Sequence, residues 1–125
     1  MNAAQPWGPT TQRVFDGAAL AVLAAVAIAT ALTFKDYGLG WDDYTQAEYG
    51  GLLLRGYASG FTDQRAFHFV NLFAYGGGFD MLAAFISKYL PFSLWETRRL
   101  CGGLVGILGL AVVWRTGRRF GPEAW

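Results

Sequence analysis

From position 17 to position 34 the chain runs for eighteen residues without a charged side chain. Wound as a helix at about 1.5 Å per residue, the run is roughly 27 Å long, close to the hydrocarbon thickness of a bilayer. Extending it back through Val14 and Phe15 leaves only Asp16 to bury or to hold at an interface. Hydrophobic residues make up 54% of the 125-residue chain and charged residues 15%, and they are distributed too unevenly for an ordinary soluble domain. A cleaved signal peptide is the competing reading, because Ala29-Thr30-Ala31 offers the A-x-A spacing of small residues that signal peptidase uses.

A second apolar run covers 100–114, fifteen residues or roughly 22 Å of helix. That is short for a crossing, so the helix is expected to extend back through Thr97 and to carry Arg98 and Arg99 near the interface, where long arginine stems snorkel. The expected fold is all-α and integral to a membrane. A flexible cytoplasmic end (1–12) leads into one transmembrane helix (13–34). An extracytoplasmic loop (35–96) follows, then a second transmembrane helix (97–114) and a basic cytoplasmic end (115–125). Orientation comes from Arg13 before the first crossing and Arg115, Arg118 and Arg119 after the second, which place both ends on the cytoplasmic side of a cell membrane. Gly102 and Gly106 form a small-xxx-small pair, with Gly103 and Gly109 thinning the same helix, and this implies a close helix partner.

The net charge of +1, with its only tight basic cluster beside a hydrophobic helix, argues against nucleic acid as a partner. The single cysteine, Cys101, excludes an internal disulfide and reads as a small buried hydrophobe in an apolar glycine-rich run.

Two short helices are expected in the loop. The first covers 43–58: Asp43 as N-cap with Gln46 three residues on resembles a capping box, and Ala47, Gly51, Leu54 and Ala58 recur at near-helical spacing. The second covers 79–90 after the glycines at 76–78, with Phe79, Leu82, Ile86 and Tyr89 on one face and Pro91 as its stop. Helices of this kind, rich in aromatic residues, suit a membrane interface. Residues 60–64 read as a turn and surface loop. The three glycines lack a following Lys-Ser or Lys-Thr, so a flexible turn is expected there in place of a nucleotide-phosphate loop.

Chemistry is most concentrated in GWDDYTQAEYGGLLLRGY, residues 40–57. With Asp43 turned back to cap its helix, Asp42 is left free at the boundary of lipid and water, able to accept a proton as a general base. Simple capping and solvation is the competing account of both acids. Glu48 reads as an exposed helix residue with a possible site role, Asp80 as a cap or solvated residue after the glycines, and Arg55 and Arg65 as interfacial arginines able to meet lipid phosphate. His68 stands alone between two phenylalanines, too isolated for a metal site. Trp41, Tyr44, Tyr49, Tyr57, Phe67 and Phe69 read as interfacial aromatics.

In its order of parts the chain resembles the GT-C membrane glycosyltransferases, particularly family 39, which includes protein O-mannosyltransferases and lipid A aminoarabinose transferases. The matching pieces are Asp42-Asp43 after a first crossing, Ala47-Glu48 in a short interfacial helix, the stretch 79–90, and Arg99-Leu100 with Leu104 and Gly106 behind it. The chain departs from the pattern at Thr45, where some members carry arginine, and at 74–80, where many carry a Pro-Pro-Leu string. The resemblance implies transfer of a sugar from a polyprenyl-phosphate donor to an acceptor hydroxyl, with Asp42 as the catalytic base. Beside it, Asp43 is expected to position the helix and Glu48 to line the site, while charge and location assign Arg98 or Arg99 to steering the donor phosphate. A divalent ion is a possible cofactor, although no complete ligand set is recognisable. Two crossings cannot enclose the cavity such enzymes build, so the chain is expected to be the amino-terminal piece of a longer protein, completed by further transmembrane helices and inactive alone. A small non-enzymatic hairpin that scaffolds a membrane complex is the alternative. A transporter fragment is a third reading, with Asp16 its nearest intramembrane charge.

Overall fold

The structure is a computed structural model that describes residues 9–119. Among them it is all-helical, with α1 (Pro9–Thr33), α2 (Asp43–Ala58), α3 (Gly78–Ile86) and α4 (Leu94–Arg119), and short 3-10 helices at Arg65–His68 and Leu72–Ala74. The chain divides into two compact units: 1–33 with 102–125, and 34–101.

In the first unit α1 starts at Pro9, inside the segment expected to be flexible; positions 1–8 and 120–125 lie outside the described residues. Proline suits the first helical position because its missing N–H is one that a helix start leaves unbonded anyway. α1 and α4 are the two described helices long and apolar enough to cross a membrane. They run antiparallel where they meet. Thr30 of α1 lies where a side chain on Gly103 of α4 would have to go. Nearer the chain ends, Trp114 Nε1 donates to Asp16 at 3.1 Å, and Arg118 pairs with the same carboxylate at 3.3 Å while lying over the Trp114 ring. Asp16 is therefore held by two partners on α4. Gly106 and Gly109 face open space.

The start of α4 precedes the expected position 97 because of a signal in 93–96. Ser93 Oγ accepts from the Glu96 N–H at 3.2 Å, and Glu96 Oε2 accepts from the Ser93 N–H at 2.8 Å. This reciprocal capping box bonds two helix-start donors that would otherwise lack partners.

In the second unit, α2 packs on α3 through glycines. A side chain at Gly50 would strike the Asp80 backbone, and one at Gly77 would strike the Tyr49 ring and Leu53. Tyr49, Leu52 and Ala66 form the buried centre, with Leu53, Phe69 and Leu72 around it. The three glycines thus do different things: Gly76 adopts a left-handed φ of +81°, Gly77 allows close approach, and Gly78 opens α3. The flexible turn expected at 76–78 is a packed one. Tyr49, expected among the interfacial aromatics, is 4% exposed and stacks on Phe69.

α2 ends in a Schellman motif. The Phe61 N–H donates to Gly56 O at 2.8 Å and the Gly60 N–H to Tyr57 O at 3.2 Å, with Gly60 in the left-handed region. α3 ends at Ile86, short of the expected 90, because Ser87 turns its hydroxyl onto Ala84 O at 2.9 Å and the chain enters a turn.

Gly50→Ala is expected to destabilise the 34–101 unit by about 1–3 kcal/mol through overpacking, whereas Gly51→Ala, whose added methyl meets open space, is expected to be neutral or slightly stabilising. Thermal unfolding of the two variants in one detergent compares them directly; equal midpoints would show that α2 and α3 do not meet at Gly50.

Candidate functional site

The head of α2 carries the two adjacent acids. Asp42, not Asp43, occupies the N-cap position, and its side chain makes no capping bond. Asp43 is the first helical residue, and its Oδ2 accepts from the Gly40 N–H at 2.6 Å, closing the preceding turn. The expected roles are thus redistributed. Asp43 does turn back, but onto the incoming chain in place of its own helix, and the helix start leaves backbone donors that Asp42 does not bond. Asp42 is exposed, beside a Trp41 that is 97% exposed.

The expected capping box at Asp43 and Gln46 does not form, because Gln46 is used elsewhere. Its Oε1 accepts from Arg98 Nη2 at 3.2 Å, and the same guanidinium donates through Nη1 to Asp80 Oδ1 at 2.7 Å. The Arg98 side chain is 8% exposed and that of Asp80 14%. Phe79 covers the guanidinium from one side, 5.7 Å from its ring centre. Arg98 therefore ties α4 to the first turns of both α2 and α3. The Gln46 N–H in turn donates to Asp42 O at 3.0 Å, so the arginine holds the helical turn that begins at Asp42.

This changes the reading of Arg98. Expected near a donor phosphate, it is instead committed to protein partners, since a buried guanidinium is stable only when paired and hydrogen-bonded. Asp80, expected to cap or to be solvated, is its counter-ion. Arg99 is half-buried on α4, and Glu48 is exposed on α2. A buried arginine in the first turns of an apolar helix calls for a carboxylate nearby, and that was the available signal for Asp80. Next to the pair, Thr97 is fully buried and its hydroxyl lacks a partner.

Other charged groups are local. Asp63 accepts from Arg65 at 2.6 Å, and these hydrogen bonds, with Arg55 nearby, hold its carboxyl down at about 2. Burial, and then the negative Asp80, push the Tyr49 phenol upward. Among the described residues no three His, Cys, Asp or Glu side chains converge as a metal site.

A cleft of about 280 Å³ lies between α2, the end of α3 and Leu94. Ala47, Gly51, Leu54 and Ala58, the face read as helical from their spacing, line it together with Arg55 and Lys88. No family model, curated protein or solved structure matches the chain.

Removing either member of the central pair, by Arg98→Gln or Asp80→Asn, is expected to cost about 3 kcal/mol, the lower end of the range for a buried pair because Asp80 retains some water. The two losses are expected to be far from additive in the double variant. Denaturant unfolding in micelles reads this, and strictly additive losses would show two independent side chains.

For Asp63 the folded value lies below the unfolded one, roughly 3.9. Its contribution is therefore complete above that value and fades as pH falls toward about 2. Carboxyl carbon NMR should give a midpoint near 2 that rises in Arg65→Gln; a parent midpoint near the ordinary aspartate value would show that the Arg65 contact is not formed in solution.

Proposed function

We propose that the chain is an integral membrane protein, and that it serves as part of a membrane glycosyltransferase in which Asp42 is the general base. Membrane residence is supported by how little of α1 and α4 is covered: none of the most apolar window of α1 is buried and 6% of that of α4. Core helices of a soluble protein are mostly buried. A signal sequence could account for α1, near the amino terminus, but not for α4. Side chains such as Leu32 (73% exposed) and Val113 (69% exposed) are stable beside lipid or partner helices and costly in water. With both ends on the cytoplasmic side, 34–101 stands outside, and its exposed Trp41, Tyr44, Tyr57 and Tyr89 suit the headgroup layer.

The observation that carries the catalytic reading is the exposed Asp42 carboxylate, free of capping bonds, at the head of a helix held by Arg98. In the proposed step the acceptor hydroxyl oxygen bonds to the anomeric carbon. The bond from that carbon to the lipid phosphate breaks with its electron pair staying on the phosphate, and the hydroxyl proton passes to Asp42. Arg98 is then a positioning residue, holding the turn that presents the base. Arg99 and Glu48 remain the side chains assigned to the polyprenyl-phosphate sugar, and further transmembrane helices complete the cavity.

A scaffolding hairpin is the second reading, favoured by Gly106 and Gly109, which leave an open strip on α4.

Asp42→Asn is expected to lower sugar transfer from a polyprenyl-phosphate donor by at least about a hundredfold, in the range of a lost general base, without changing the thermal midpoint. Cysteine labelling between 36 and 96 is expected from the outside only. Undiminished transfer by Asp42→Asn removes the base, and labelling from the cytosol removes the topology on which it rests.

A further inference from the structure

The cleft between α2 and α3 has two chemically distinct parts. Gly51, Leu54, Ala84 and Leu94 supply apolar lining, and Arg55 and Lys88 supply the charged lining. Both cations are exposed, and among the described residues neither is in a salt bridge. Asp63, whose carboxyl feels the charge of Arg55, is already bonded to Arg65. Arg55 lies in the last turn of α2 and Lys88 just past the end of α3. There they offset the negative helix ends and still leave positive charge toward the opening. Exposed aromatic side chains come from the same two segments: Tyr57, Phe85 and Tyr89 are 59%, 45% and 73% exposed. A volume of about 280 Å³ is just under the range of small-molecule pockets, roughly 300–1,000 Å³, and is enough for a headgroup and the first part of a chain.

The geometry points to an anionic phospholipid as the occupant, its phosphate between Arg55 and Lys88 and its glycerol and upper acyl carbons on the apolar lining. Free phosphate would use the cations and leave the apolar lining uncovered, while a zwitterionic lipid would leave the charge unmatched. The site is separate from Asp42, and it rests on the membrane reading but not on the transferase reading.

Native mass spectrometry of the whole chain in neutral detergent tests it, with phosphatidylglycerol, phosphatidylcholine and inorganic phosphate as probes. One phosphatidylglycerol is expected to bind in preference to phosphatidylcholine, with the preference falling about fivefold for each of Arg55→Gln and Lys88→Gln, the size of one interfacial cation's attraction to anionic lipid. Gly51→Leu adds a side chain where a first carbon meets open space, so it is expected to fill the cleft and remove the bound lipid without unfolding the unit. Equal binding of the two lipids overturns the proposal. So does a preference that survives all three substitutions, and so does displacement of the lipid by equimolar inorganic phosphate. Alkaline carbonate extraction is read separately: release of the chain from membranes ends the membrane reading, whereas loss of lipid preference in a carbonate-resistant chain ends this one alone.

Discussion

Arg98 is the side chain on which the 34–101 unit depends. Its guanidinium is nearly dry, and the free energy of placing it there is recovered only through Asp80 on α3 and Gln46 on α2. Three helices are thereby held at one point. The demand is geometric as well as electrostatic, because a planar guanidinium must meet two acceptors that come from segments far apart in the chain.

Glycine is the second half of that arrangement. Gly50 lets the α3 backbone come close to α2 at Asp80, the residue that receives Arg98. Gly77, beneath Tyr49, sets the entry of the chain into α3. Backbone approach and ion pair are therefore one construction: a bulkier residue at 50 would push Asp80 away and leave the buried Arg98 without its counter-ion. The Asp42 turn inherits its position from this, through the Gln46 N–H that bonds to the Asp42 carbonyl.

The two units solve different solvent problems. In 34–101 the buried guanidinium is paired within the unit and the core is small, with aromatic residues left outward. In the paired helices the apolar surface is uncovered almost all round, and the polar contacts concentrate on Asp16, where Trp114 and Arg118 converge. Such a surface is compatible with lipid or with further helices. The aromatic fringe of 34–101 and the bare paired helices are the features on which a membrane setting for the protein is argued.

Much of the helical plan was legible without coordinates. The two long apolar stretches, the helix over 43–58 and the end of that helix near Gly60 follow from uncharged length, from i, i+3, i+4 spacing and from turn chemistry, all of which act over a few residues. The Ser93–Glu96 capping box is equally local, and it starts α4 before its apolar run suggests. The pairing of Arg98 with Asp80 and Gln46 was not legible, since those residues are distant in sequence and any of the chain's nine acids satisfies charge alone. The sequence separated Asp42 from Asp43 by making Asp43 the cap, whereas the folded chain puts Asp42 at the N-cap position and turns Asp43 onto Gly40. Nor could it show that one glycine at 76–78 bends the chain while the next admits a ring. Periodicity specifies which residues are helical; only the packed backbone decides which helices come close enough for a buried charge to find its partner.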